Sequence, residues 1–296
     1  MITFIISARN ENKEPLNTIK SLWDSIEDKE LFKIILVNDG SSEWTKIPKK
    51  YNIKEITHAI PQGIHASIDE VVELVDTEHI GILNARMRFR KGWFTELSKH
   101  LKNKQLLSCT SVVLRPNQTD MDKAETKRYG ADIHYKNGDN YLIARWRKEE
   151  NKDIYDIPCA LGASYFMTKK WYKHIKGLQG LCMWGSLQEF LSLKTWKFGG
   201  KVKLLKTVEI GNIYQDKKGD EKRYTDSHID IIWNKLFMAF TLFDWKFAIN
   251  LLGEYYESEY YNPLKLMLIT DMPKIMEYEK YFKVYGRFDI NNLIIK

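Results

Sequence analysis

The sequence predicts an α/β fold: a mostly parallel sheet flanked by helices, followed by a helical C-terminal extension. Three observations carry this expectation. Short continuous apolar runs at 2–7 (ITFIIS) and 32–37 (FKIILV) have the pattern of strands buried on both faces. Helical patterns separate the predicted strands, and such alternation builds a parallel sheet. From Ile229 onward, Ile232, Trp233, Leu236, Phe237 and Phe240 recur at helical spacing, so the tail is helical.

The elements follow in order. After the first strand, Pro15 sits where a helix begins, and Leu16, Ile19 and Leu22–Trp23 continue it. The strand 32–37 stops at Asn38-Asp39-Gly40-Ser41-Ser42, a dense turn cluster. Residues 64–75 read as a helix, 79–83 as a strand, 93–101 as a helix and 106–114 as a strand. Residues 133–135 and 141–146 flank Lys-Asn-Gly-Asp-Asn, a hairpin signal. A strand at 163–168, a helix at 187–198 closed by Gly199-Gly200, and a strand at 202–210 complete the sheet. Pro263 and Pro273 punctuate the tail. Two units are expected, a catalytic domain over 1–225 and a helical extension over 226–296 packed on it.

Composition narrows the class. Apolar residues make up 44% of the 296 and aromatics 13%, enough for a large core, which excludes a disordered or fibrous chain. Cys109, Cys159 and Cys182 are too few and scattered for a disulfide framework or a four-ligand zinc site, which fits a reducing compartment. The N-terminus turns polar after seven residues, unlike a signal peptide. The most apolar stretch, 236–252, contains Asp244 and Lys246 and falls short of the ~20 clean residues a spanning helix needs. A cytoplasmic protein without a membrane anchor is therefore expected. Net charge is +7, and residues 1–223 carry 38 basic against 29 acidic side chains, so a polyanionic partner or a lysine-rich solubilising surface accounts for the excess.

In open parallel sheets, ligands bind beyond the carboxyl ends of the strands. The polar clusters placed there are Arg9-Asn10-Glu11, Asn38 to Ser41, Asn84 to Arg88, and Asn212 after the strand 202–210. Four such clusters on one sheet edge describe a nucleotide pocket, though each alone also reads as a turn.

At this point the chain resembles nucleotide-sugar glycosyltransferases of the GT-A fold, the large family-2 group and the polypeptide N-acetylgalactosaminyltransferases, over about residues 1–215. The matching blocks are 34–42 (IILVNDGSS), 80–94 (IGILNARMRFRKGWF), 161–177 (LGASYFMTKKWYKHIKG), 184–200 (WGSLQEFLSLKTWKFGG) and 208–214 (VEIGNIY), in the family order. The resemblance implies a Rossmann-like sheet and a nucleotide-sugar donor, with a UDP-sugar first. By position, Arg9, Asn10 and Glu11 face base and ribose, Asp39 with Gly40 holds the base, and His65 lines the donor pocket. Trp184, Gly185 and Gln188 stand on the acceptor side. Glu189 is the only acid in its block and the first candidate for a general base; Asp69 and His65 are weaker.

The departures are chemical. The family places Asp-x-Asp or Asp-x-His after the strand ending at Leu83, and a further His after the strand ending at Ile210. These groups hold Mg or Mn against the donor diphosphate. Here the positions read Asn84, Arg86 and Asn212, which suit a hard divalent cation poorly. The expectation is that Arg86, with Arg88 at strand parity, balances the leaving diphosphate directly and that no metal is required. Asp120-Met121-Asp122 has the spelling of a metal motif but lies in a polar loop, and Trp196 reads as core.

For the acceptor, seven basic residues against one acid between 86 and 104, with Lys169, Lys170, Lys173 and Lys176, suit a phosphate backbone, and the small size and Lys/Asn/Ile-rich composition resemble those of phage-encoded enzymes that glycosylate hydroxymethylated pyrimidines in their own DNA, so double-stranded DNA of that kind is the favoured acceptor. A bacterial surface-polysaccharide or protein glycosyltransferase, or a catalytically inactive binding protein, are the alternatives.

Overall fold

The computed structural model describes residues 1–116, 118, 120–124, 126–137, 140–214 and 228–295. The strands are β1 (Ile2–Ala8), β2 (Phe32–Asp39), β3 (Lys54–His58), β4 (His79–Asn84), β5 (Met87–Phe89), β6 (Gln105–Leu114), β7 (Thr126–Arg128), β8 (Ala131–Asn137), β9 (Asn140–Trp146), β10 (Ile154–Asp156), β11 (Ser164–Thr168), β12 (Lys201–Ile213) and β13 (Ile294–Ile295). The α-helices are α1 (Glu14–Ser25), α2 (Ile64–Leu74), α3 (Trp93–His100), α4 (Lys169–His174), α5 (Leu187–Lys197), α6 (His228–Leu242), α7 (Trp245–Gly253) and α8 (Tyr261–Tyr285).

The main sheet runs β10-β12-β6-β11-β4-β1-β2-β3, with β5 on β12 and β7 on β6. The strands β3, β2, β1 and β4 are mutually parallel, and so are β6 and β12. Between these groups β11 runs antiparallel to both β4 and β6, so the sheet is mixed at its centre. A sequence reading sees β11 as a strand but not its direction, because direction is set by the connection.

Both faces of the sheet are covered, which explains the continuous apolar runs. Along β1 the side chains alternate: Ile5 joins the layer containing α2, α5 and α6, while Phe4 and Ile6 join the layer containing α1 and α3. The hairpin β8–β9 and the terminal β13 make a separate three-stranded sheet.

Four expectations change. The strand β3 was unforeseen, because its residues (KEITH) are largely polar and exposed. Residues 84–88 are not one loop: after the two-residue turn Ala85-Arg86 the chain enters β5. Asn212 lies inside β12, which pairing with β5 and β6 extends to Ile213. Pro263 falls in the first turn of α8, where a missing N–H costs nothing, and Pro273 is inside that helix rather than at a break. The boundary expected at 225/226 falls outside the described residues. What is described of the tail shares the main core: Trp233, Phe237, Phe240 and Phe282 cluster with Phe190, Trp171 and Val71. Among the described residues, no helix is long and apolar enough to cross a membrane.

Candidate active site

Placing β1 beside β4 brings their terminal loops together. A cleft of about 610 Å³ opens there, lined by residues 11–14 after β1, 43–45 after β2, Arg86, Pro116 and Ile213. Glu11 and Arg86 meet in it, with Arg86 Nε 3.4 Å from Glu11 Oε2. The Arg86 backbone is fixed on both sides. The Thr18 hydroxyl donates to Ala85 O (2.6 Å) and accepts from Met87 N–H (2.8 Å), and Ile213 N–H donates to Arg86 O (3.0 Å). The turn that carries the guanidinium is therefore fixed at its backbone.

Arg88 is placed otherwise than expected. Its guanidinium is buried under α1, donating to Glu14 Oε2 (2.8 Å) and to Met87 O (2.9 Å). Arg90 is paired with Asp122 (2.7 Å) and Glu209 (3.4 Å), so the Asp-Met-Asp segment serves an ion pair.

Asp39 is also committed. It is fully buried, Oδ1 accepts from Gln62 N–H (2.8 Å) and from His58 Nδ1–H (2.9 Å), and Oδ2 accepts from Gly63 N–H (2.9 Å). Every oxygen has a donor from the chain itself, so Asp39 organises the path from β2 to α2 and is not exposed to a base. Gly40 has φ +66° with Pro61 packed where a Cβ would stand, at 2.8 Å, which explains the glycine. Asn10, at the end of β1, ties the two loops: its N–H donates to Ser41 Oγ (2.9 Å) and its Oδ1 accepts from Ser42 N–H (2.9 Å). Arg9 and Asn84 lie half-buried at the same edge, and Asn84 N–H bonds Ala163 O at 3.0 Å.

The residues at the family's metal positions do not fit a divalent cation. Asn84 and Asn212 are neutral, Arg86 is a cation, and the described residues contain no group of three or more carboxylate, imidazole or thiol side chains able to hold a metal.

The block expected on the acceptor side is a strained loop held from three directions. Met183, Gly185 and Ser186 have φ +31°, +97° and +65°. Ile64 N–H donates to Met183 O (2.9 Å), and a Cβ on Gly63 would stand 2.5 Å from Met183 Cα. His65 Nδ1–H donates to Cys182 O (2.9 Å), so that tautomer is fixed. His65 is buried in this joint rather than lining a donor pocket, and burial lowers its pKa to about 4. The third clamp is Asn234 of α6, fully buried. Its Oδ1 accepts from Cys182 N–H (2.6 Å), and its Nδ2 faces the carbonyls of Cys182, Trp184 and Gly185 at 2.9–3.2 Å. The loop so held leaves Trp184 44% exposed.

Glu189, in the first turn of α5, is only 4% exposed. Its Oε1 accepts from Ala144 N–H (3.0 Å) and Gln188 Nε2 (3.3 Å), Oε2 has no partner, and burial raises its pKa against the opposing charge of Lys235. Asp69 is engaged with Tyr172 OH (2.5 Å) and Leu178 N–H (3.0 Å), which makes it structural. Trp196 packs on the main core and donates to the carbonyls of Ile157 and Pro158. Sequence reasoning missed Asn234, Thr18, Glu14 and His58. An asparagine between Trp233 and Leu236 in an apolar helix was a usable signal; His58 was hidden because β3 was.

The fold and the strand-end cleft define a GT-A type of architecture. The sequence profile of glycosyl transferase family 2 matches residues 3–174, more than half of the chain, and the chain belongs to that family. It is 24% identical over 231 residues to polypeptide N-acetylgalactosaminyltransferase 8 of Drosophila melanogaster, covering 73% of this chain and 38% of that protein. It is 20% identical over 226 residues to the human polypeptide N-acetylgalactosaminyltransferase 16, covering 72% and 40%. The chain thus spans about two fifths of these relatives. Among solved structures, GalNAc-T7 with UDP, GalNAc and Mn2+ superposes with a TM-score of 0.72 at 14% identity, over 97% of this chain and 55% of that one. S. aureus TarS 1–349 in complex with UDP-GlcNAc gives 0.56 at 12% identity, over 99% and 83%.

Two predictions follow from the clamps. The His58 pKa is raised: burial would lower it, but hydrogen bonds to Asp39 and Glu70 outweigh that. Its stabilising proton is fully present below the ordinary 6.5 and is lost as pH rises through the higher folded value. His65 has the opposite sign, since between 6.5 and about 4 the unfolded chain binds a proton that the folded chain refuses. The urea midpoint of the wild type should fall on both sides of pH 6.5; His58→Gln should flatten the alkaline limb and His65→Gln the acid limb. Separately, Asn234→Leu should lower unfolding free energy by about 2–4 kcal/mol by stranding buried polar groups, and should speed exchange of the Cys182 amide; a wild-type denaturation curve would remove Asn234 from the clamp.

Proposed function

We propose that this protein transfers a sugar from a nucleoside-diphosphate sugar, a UDP-sugar first, to an acceptor hydroxyl. The observation that carries the reading is Arg86 in the strand-end cleft, fixed through its backbone and held near Glu11. In the transfer, the acceptor oxygen bonds the anomeric carbon, the bond to the diphosphate oxygen breaks, and the pair of electrons leaves with the diphosphate. A guanidinium fork in a partly buried cleft offers two parallel N–H donors to that developing charge. Arg86 thus does without a metal what the neutral amides of Asn84 and Asn212 cannot. Arg88, engaged with Glu14, acts at most by supporting the turn that carries Arg86. Glu189 is the base candidate within this reading, with Oε2 unpartnered; a retaining reaction needs no such base. Trp184, with Gly185 and Gln188, is the acceptor platform, offering an exposed indole for stacking on a sugar or base.

Two acceptor classes rest on different observations. Exposed Lys91, Lys102, Lys104 and Lys170 support hydroxymethylated duplex DNA, although Arg88, Arg90, Lys99 and Lys173 are spent on internal ion pairs. Exposed Leu266, Ile269 and Met276 on α8 favour an acceptor at a membrane surface, such as a bacterial surface polysaccharide.

Transfer or donor hydrolysis by the wild type should persist in excess EDTA. Arg86→Ala should lower kcat about 10²–10³-fold, and Arg86→Lys should recover part of it as a point charge without the fork. Loss of turnover in EDTA that Mn2+ restores would contradict the proposal. Hydroxymethylated duplex DNA should be bound with an affinity falling steeply with salt if DNA is the acceptor; indifference to DNA, with transfer to a lipid-linked saccharide, assigns the second class.

A further inference from the structure

The helix α8 buries Leu264, Ile275 and Phe282 on one side. Opposite them, Leu266, Ile269, Pro273, Met276, Lys280 and Val284 follow at spacings of three and four, which helical geometry gathers into one stripe. Leu266 and Ile269 are 66% and 67% exposed, Met276 55% and Val284 57%. From Leu266 to Val284 the stripe is roughly 27 Å long at 1.5 Å per residue. It is joined by α7: Trp245, itself exposed, donates its indole N–H to Glu279 of α8 at 2.9 Å, and Ile249 is exposed one turn along α7. Isolated exposed apolar residues need no explanation, but an apolar stripe of this length along one helix marks a docking surface.

The charges on this face select the occupant. Lys265, Lys280 and Lys283 lie on the exposed arc of α8, against Glu277. The remaining acids of α8 are turned away: Asp271 is half-buried, and Glu279 is held by Trp245 and Lys283. Lys280 stands within the stripe itself. A second copy laid stripe on stripe would take that ammonium out of water with only Glu277, at the edge of the stripe, to meet it, a costly arrangement. At a bilayer surface the same side chain lays its stem along the apolar region and returns its charge to the phosphates.

We propose that the α7–α8 face docks on an anionic lipid surface. Leu266, Ile269, Met276 and Val284 enter the boundary between headgroups and acyl chains. Trp245 sits at headgroup level, its ring toward the apolar region and its N–H kept on Glu279. Lys265 and Lys280 meet lipid phosphates. The proposal goes beyond sugar transfer and does not depend on it.

The test is sedimentation of the full chain with vesicles of phosphatidylcholine alone or with phosphatidylglycerol added, with neither donor nor acceptor present. The chain should partition onto the phosphatidylglycerol vesicles, less so as salt rises, and about ten-fold more weakly onto phosphatidylcholine. Ile269→Glu and Met276→Glu should each weaken partition about ten-fold without moving the melting temperature, since both side chains are exposed. Lys265→Gln with Lys280→Gln should weaken only the phosphatidylglycerol binding. The proposal is overturned if the wild type stays in the supernatant with both vesicles, if the glutamate variants partition like wild type, or if sedimentation velocity shows a dimer that Ile269→Glu converts to monomer.

Discussion

The proposed site depends on one contact, the pairing of Arg86 with Glu11 beyond the end of the fourth strand. The Arg86 guanidinium stands 3.4 Å from the Glu11 carboxylate, in a turn whose backbone is bonded by α1 on one side and β12 on the other. A cation so placed is already neutralised before any ligand arrives. In the proposed reaction a diphosphate takes the place of Glu11 as partner of the guanidinium. The rest of the fold serves that placement: the β1–β4 adjacency aligns the two loops, and Thr18 fixes the two-residue turn.

The tail has a comparable role on the other side. The family profile ends at residue 174, yet Asn234 of α6 holds four backbone groups of the 182–185 loop. Positive φ at Met183 and Ser186 is unfavourable for side-chain-bearing residues, and such strain persists only where surrounding contacts over-determine it. Asn234, His65 and Ile64 supply those contacts. The helices after residue 228 are thus part of what shapes the site, beyond merely covering a sheet.

Much of the fold was legible because strands buried on both faces write themselves as apolar runs: β1, β2, β4 and β6 are all visible in this way. What was hidden depends on partners distant in sequence. The polar β3 is a strand because β2 offers it an edge, and β12 reaches Ile213 because β5 and β6 extend its ladder. Pro273 inside α8 shows packing overriding a local breaker. The site was legible as a set of strand-end clusters but not as roles. Motif position put Asp39 against a base and His65 in a pocket, whereas His58 and the amides of Gln62 and Gly63 absorb Asp39, and Cys182 O absorbs His65. Whether a polar side chain faces a ligand or its own backbone is decided by neighbours that spacing does not reveal.

The central claim is that a guanidinium takes the place of an ion in holding the donor's phosphates. It is tested most directly by calorimetric titration of UDP into wild-type and Arg86→Ala protein, each with excess EDTA and with Mn2+. The account predicts the same wild-type affinity in both conditions and at least ten-fold weaker binding by the variant. Wild-type binding that appears only with Mn2+, and is indifferent to the loss of Arg86, would contradict it.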